Sequence, residues 1–302
     1  MTPPLVSVLL TVFNRERYLA ESIESVLAQS FGDFELIIVD DHSTDSSVEI
    51  ARRYEQLDRR VRLVVNECNY GQFQNRNHAA SLATAPFIKF HDSDDVMYPH
   101  CLAVMVPPLR SEPRAGFGLS GDQSWPGCPV PRLLTPRQAY QREFLGFGLF
   151  MYGPGCALIR TEAFRQLGGF EDYGTPSDTI FWMRACARYP VLLLPGDLFY
   201  YRTHPGQTFQ AAGVARAYAS VTGHAWVALA ADGCPLSEDE RTLARRNLAS
   251  TTAKLIWRAA RTGDIGLAWA RAAGCGITAS EWLRYLRRPQ RSSAAGLEPA
   301  TL

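Results

Sequence analysis

Four apolar runs separated by short helical patterns constrain this chain more than any other feature. Leu5 to Val12 is almost continuously apolar and rich in β-branched residues, the pattern of a strand buried on both faces of a parallel sheet. Phe34 to Val39 repeats it, Arg62 to Val65 is a shorter version, and Phe87 to His91 is a fourth. Between them lie helical stretches. The first opens at Asn14, carries Tyr18, Leu19, Ile23, Val26 and Leu27 on one stripe and ends by Gly32; the others span Ser46 to Gln56 and Gln74 to Ala83. Strands alternating with helices predict right-handed βαβ units and a parallel sheet. Ligands of such sheets bind beyond the carboxyl ends of the strands.

Two acidic clusters fall at those ends, Asp40-Asp41 after the second strand and Asp92-Ser93-Asp94-Asp95 after the fourth. Neighbouring carboxylates repel unless solvent or a cation neutralises them. Residues i and i+2 of an extended chain point the same way, so Asp92 and Asp94 are placed to converge on a hard cation, with phosphate oxygens completing its shell. An acidic turn capping the helix that starts near Pro99 uses the same residues. The surrounding sequence decides between the two readings.

Ser7 to Asn14, Ser22 to Phe31, Glu35 to Ser43 and His91 to Asp95 are four ordered segments that together resemble family 2 glycosyltransferases of the GT-A fold, over roughly residues 5 to 205. The resemblance implies a metal-dependent, inverting, hexosyltransferase-like enzyme. Its donor would be a nucleoside diphosphate sugar, taken as UDP-linked, and its ion Mn²⁺ or Mg²⁺. It assigns Thr11, Phe13, Asn14 and Asp41 to the nucleoside, with Phe13 stacking on the base, and Asp40 to the ribose or to the support of Asp41. Arg76, after Asn69-Tyr70-Gly71, offers a planar fork to base or phosphate, and Asp92 joins the nucleotide set. The metal falls to Asp94, assisted by Asp92 or Asp95, and His204 of Tyr201-Arg202-Thr203-His204, on a loop able to fold over the diphosphate, either completes its shell or donates to phosphate.

Attack by an acceptor hydroxyl also needs a base across the cleft. Gly168-Gly169-Phe170 and the later Ser177-Asp178 resemble the family's Gly-Gly-Phe segment and its acidic pair, with serine where the first acid usually stands. The resemblance makes Asp178 the general base, with Glu171 and Asp172 in reserve. A helix cap is the plainer role for Asp178. Tyr152 to Arg160 corresponds to the floor of the sugar site, where Gly153 and Gly155 allow close backbone approach.

The formal net charge is +1, which argues against a nucleic-acid surface. Seven cysteines form no close pair of the zinc-binding kind and read as reduced, mostly buried thiols. Met1-Thr2-Pro3-Pro4 leads straight into the first strand without a signal pattern, and no apolar stretch is long enough to span a bilayer. A cytoplasmic location is expected, with the inner face of the membrane as the meeting place for a lipid-linked acceptor. A sugar-nucleotide pyrophosphorylase would need a Gly-rich phosphate loop, and Ser7 to Arg17 contains no glycine or lysine. A non-catalytic nucleotide-sugar-binding subunit of a glycan-assembly complex stays open.

The fold expected is α/β, a GT-A nucleotide-binding domain over residues 1–209 (nucleotide half about 1–98, acceptor half about 99–209) with a mostly parallel central sheet flanked by helices. A helical region over 210–290 and a flexible tail over 291–302 follow. Residues 110 to 142, interrupted by Pro113, Pro126, Pro129, Pro131 and Pro136, read as irregular. Helical spacing covers 214–231, 237–262, 265–273 and 278–288. These helices either cap the catalytic domain or form a homodimer contact. Alternatively they offer a peripheral membrane contact through Trp282 and Tyr285 beside Arg284, Arg287, Arg288 and Arg291.

Overall fold

The structure is a computed structural model that describes residues 3–121, 130–205, 207 and 213–286; the side chains of 284–286 lie outside the described set. Four parallel strands, β1 (Val6–Val12), β2 (Phe34–Asp40), β3 (Val61–Val65) and β4 (Phe87–Asp92), lie in the order β3-β2-β1-β4. They are connected through α1 (Leu19–Leu27), α2 (Ser47–Leu57) and α3 (Gln72–Ser81). Successive side chains on a strand face opposite ways, and the core divides accordingly. Val8, Leu10, Leu36 and Ile38 pack with Leu19, Ile23 and Val26 of α1 on one face. Leu9, Ile37, Val39, Ile88 and Phe90 pack with Phe73 of α3 on the other. Residues buried on both sides explain why β1, β2 and β4 read as apolar runs, whereas the edge strand β3 is partly exposed. The register aligns Thr11 with both Val39 and Asp92, and Val12 with Asp40, so the polar strand ends share one edge.

Beyond β4 the sheet becomes mixed. A short β5 (Val96–Met97) and α4 (Cys101–Ser111) lead to β6 (Phe117–Ser120), β7 (Arg132–Leu134), α5 (Pro136–Leu145), β8 (Ala157–Arg160), α6 (Thr161–Gln166), α7 (Ser177–Arg188), β9 (Val191–Leu194) and β10 (Phe199–Tyr200). The sheet continues β4-β8-β6-β9-β7 with β8 and β7 antiparallel to their neighbours. The expectation of irregular structure over 110–142 is thus corrected: the span holds two strands and the start of a helix. Thr135 and Gln138 close a capping box at α5, and Pro136 occupies its first turn, where no backbone N–H is needed. The pair β5–β10 forms a separate antiparallel ribbon that brings residues 199–205 over the Asp92–Asp95 turn.

The C-terminal region forms α8 (Val214–Ala217), a 3₁₀ turn over Tyr218–Ser220, α9 (Val221–Ala230), α10 (Glu238–Arg261), α11 (Ile265–Gly274) and α12 (Ala279–Leu286). Ser237 and Glu240 cap α10 reciprocally. Ala225, Leu229, Leu236 and Ala244 enter the same core as Tyr140, Phe181 and Trp182, and Arg137 and Gln141 of α5 both donate to Glu240. These helices pack on the catalytic half. The predicted membrane set including Arg287, Arg288 and Arg291, the tail, and the side chains of Arg284 and Tyr285 lie outside the described residues. Among the described residues no helix is long and apolar enough to cross a membrane.

Candidate active site

A cleft of about 520 Å³ opens at the carboxyl edge of β1, β2 and β4, and Asp41, Asp92, Asp94 and Asp178 all line it. Thr11, Phe13 and Arg76 line it too. Phe13 is 45% exposed, so the ring stands on the wall instead of filling the core. Asp41 is held where β2 ends: Asn66 Nδ2 and the Tyr70 backbone N–H donate to its Oδ1 at 2.8 Å, and the Gly71 N–H to its Oδ2 at 2.9 Å. Gly71 starts α3 at φ +86°, a conformation glycine adopts without steric cost. An ionised carboxylate has about four acceptor positions, which leaves Asp41 capacity toward the cleft.

Arg76 is buried, and its Nη2 donates to Asp92 Oδ1 at 2.5 Å. Burial alone would raise the Asp92 pKa, but the Arg76 guanidinium, with His91 and Lys89 nearby, holds the carboxyl below its usual range. Arg76 Nε and Nη1 are buried without a hydrogen-bond partner among the described residues. Unmet donors on a buried cation beside a cleft suit an anionic or carbonyl-bearing ligand. Asp94 turns to different partners: Arg15 Nε at 3.1 Å and His204 Nε2 at 2.9 Å, both on Oδ2. The two carboxylates predicted to converge are thus each matched to a separate basic group.

Among the described residues no three His, Cys, Asp or Glu side chains form a ready metal cage. The Asp94 carboxylate is nevertheless an oxygen donor that suits Mn²⁺ or Mg²⁺ when phosphate oxygens supply the rest of the shell, and the His204 imidazole lies beside it. Asp95 fits less well. Like His204 it is buried and does not line the cleft, but its Oδ1 accepts from the Arg202 backbone N–H at 3.0 Å, whereas His204 reaches Asp94. Burial, with Asp92 and Asp94 nearby, pushes it up to about 7.

Asp178 sits in the first turn of α7. The Thr179 N–H donates to its Oδ1 at 2.7 Å, yet burial dominates and raises its pKa to about 6, with Arg76 partly opposing. Ser177, where the family's other acid was expected, is buried. Its Oγ accepts from the Tyr173 N–H at 2.8 Å and donates to the Gly174 carbonyl at 2.7 Å, pinning the loop before α7. Glu171 pairs with Arg184 at 2.6 Å and with the Tyr173 hydroxyl; neither Glu171 nor Asp172 lines the cleft. Lys89 is buried and donates to the carbonyls of Phe90 and Gly155. Gly153 and Pro154 line the cleft wall.

Asp40 and Asn14 stand apart from the cleft lining. Asp40 is buried, accepts from the Ser43 N–H at 2.7 Å, and has its pKa raised by burial. Asn14 adopts φ +51° and its Oδ1 accepts from Thr44 N–H at 2.8 Å, stitching the β1 and β2 loops together. Arg202 donates to the Asp94 carbonyl and to Glu21, so it braces the loop. Sequence reasoning did not single out Arg15, Gln207 or Tyr218, all of which line the cleft; nothing local distinguishes them. Of the cysteines, Cys101, Cys186 and Cys275 are buried, Cys156 and Cys234 half-buried and Cys68 exposed, while Cys128 lies outside the described residues.

A mixed sheet flanked by helices, with carboxylates on a cleft at its strand ends, has the GT-A fold. The family model for Glycosyl transferase family 2 matches residues 7–168, and the chain belongs to that family. An uncharacterized glycosyltransferase of Haemophilus influenzae is 30% identical over 223 residues, covering 68% of this chain and 67% of that protein. S. aureus TarS 1–349 in complex with UDP-GlcNAc superposes with a TM-score of 0.61 at 18% identity, over 89% of this chain and 91% of that one. The mannosyltransferase PcManGT from Pyrobaculum calidifontis, in complex with GDP-Man and Mn²⁺, gives 0.58 at 19% identity, over 92% and 81%. At such identities the two structures share the fold. The first curated relatives are matched over 35% to 66% of their length.

Proposed function

We propose that the protein moves a sugar from a nucleoside diphosphate donor, UDP-linked, to a hydroxyl of a glycan or lipid-linked acceptor, with inversion, in the synthesis of cell-surface polysaccharide. The observation that carries this reading is the shared cleft of Asp41, Asp94 and Asp178. Phe13 stacks on the base and Asp41 accepts from it. Arg76 gives its unmet donors to the nucleotide, and Asp92 keeps that guanidinium oriented. Asp178 takes the proton of the acceptor hydroxyl as its oxygen attacks the anomeric carbon; a base with a pKa near the working pH is effective at this. Asp94 and His204 would hold Mn²⁺ or Mg²⁺, which stabilises the charge developing on the leaving diphosphate when bound. The GT-A domain ends near residue 209, and the helices beyond it are a packed cap.

A panel of nucleotide sugars, read by metal-dependent hydrolysis, transfer and thermal stabilisation, tests the reading. Turnover of one donor supports it. Stabilisation by nucleotides with no turnover of any donor points instead to a non-catalytic binding subunit.

A contact with an anionic membrane surface is supported by the α10–α11 hairpin, where Trp257 and Trp269 are 62% and 73% exposed and Arg261 lies over the Trp257 ring. Lys254, Arg258 and Arg271 stand on the same two helices. Sedimentation with phosphatidylglycerol vesicles, but not with phosphatidylcholine vesicles, is expected; concentration-dependent dimers lost on W257S/W269S would assign the face to a homodimer instead.

A further inference from the structure

We propose that Tyr218, supplied by the C-terminal region, is a positioning residue that holds the acceptor hydroxyl against Asp178. This rests on the transferase reading above and adds a residue outside the span of the family match, which ends at residue 168. Tyr218 lines the same cleft as Asp178 and Thr175. Burial, then the nearby Asp178 charge, raises its pKa, so the phenol stays protonated and able to donate. Thr179 is itself buried and gives its backbone N–H to Asp178. The base is thus braced by Thr179 on its own helix and faces a cleft that Tyr218 also lines.

The placement of Tyr218 is enforced from behind. It opens the 3₁₀ turn between α8 and α9. A Cβ at Gly274 of α11 would come within 3.1 Å of the Ala219 carbonyl oxygen in that turn, and one at Gly223 of α9 within 2.3 Å of the Gly274 carbonyl oxygen. Backbone contacts this close fix the turn relative to α9 and α11. A phenol held beside a base is suited to accept or donate one hydrogen bond to the attacking hydroxyl. Orienting its lone pair in this way counts toward the rate through proximity.

The test uses the full chain, the donor found in the nucleotide-sugar panel and p-nitrophenyl glycosides as surrogate acceptors. Tyr218→Phe should raise the acceptor KM or lower transfer roughly tenfold, the scale of one neutral hydrogen bond. Donor KM, donor hydrolysis by water and nucleotide-dependent thermal stabilisation should not change. Tyr218→Ala should show the same split with a larger loss, and Tyr218→Phe serves alone if the alanine variant does not fold. An unchanged acceptor KM and transfer rate, or acceptor and donor KM rising together, overturns the role of Tyr218 while leaving the transferase reading intact. A wild-type chain that turns over no donor and no glycoside sinks both.

Discussion

The side-chain amide of Asn77 meets both backbone polar groups of Phe170, 93 positions further on: Nδ2 donates to the carbonyl at 2.8 Å and Oδ1 accepts from the N–H at 2.9 Å. Helix α3 thus holds Arg76 against Asp92 with one residue and anchors the segment leading to Asp178 with the next. Gly169 lets the chain pass: it has φ +71°, and a Cβ there would meet Asn77 Oδ1 at 2.6 Å. The two sides of the cleft are fastened by adjacent residues of one helix.

Asn77→Ala leaves the backbone of Phe170 without these partners and should cost about 1–3 kcal/mol. Urea denaturation reads the stability, and kinetics should show kcat falling more than nucleotide affinity. Unaltered stability would mean that water replaces the amide without loss.

Arg76→Met removes the partner of Asp92. The loss should lie between the ~1 kcal/mol scale of an exposed pair and the roughly 3–5 kcal/mol of a fully buried one, because the Asp92 side chain is 32% exposed. Arg76→Met/Asp92→Asn should recover part of it, and a strictly additive double-mutant cycle would show that the pair is not coupled.

Asp178 sets a pH dependence. The carboxylate is the active form, so kcat/KM should fall about tenfold per pH unit below the raised pKa of about 6. An unperturbed aspartate would move that limb to near 3.8. Asp178→Asn should lose about 10²–10⁴ in transfer while nucleotide still raises its Tm. Linkage fixes a second sign: the raised pKa makes the wild type lose stability relative to Asp178→Asn as pH rises from about 4 to about 6, with no further change above. Thermal melts across that range check it.

Chelation should abolish transfer, and added Mn²⁺ or Mg²⁺ should restore it. Asp94→Ala should no longer respond to the ion, whereas Asp95→Asn should still respond, because Asp95 faces the Arg202 backbone and not the cleft. Equal loss of the response in both variants would return Asp95 to the metal site.

The nucleotide half was legible because β1, β2 and β4 are buried on both faces, which forces largely apolar runs such as Val8 to Leu10. Strand β6 escaped for an equally physical reason. A Cβ at Gly118 would meet Leu194 Cδ1 at 2.6 Å and one at Gly116 would meet Tyr189 Cβ at 2.6 Å, so this part of the sheet needs glycine, which weakens the strand signal. Neighbouring acids were hard to separate because adjacent side chains of an extended segment face opposite ways: Asp41 reaches the cleft while Asp40 pins Ser43. Arg15 and Tyr218 reach the site only through tertiary packing, far from the acids they approach in sequence.

Burial of Lys89 has a practical side. The chain contains only one other lysine, Lys254, and it is exposed on α10. Amine-reactive dyes or resins applied to the folded protein therefore meet a single lysine, far along the chain from the strand ends, and Lys89 reacts only after denaturation. A tether placed on Lys254 would hold the protein by α10 and leave the strand that carries Lys89 unmodified.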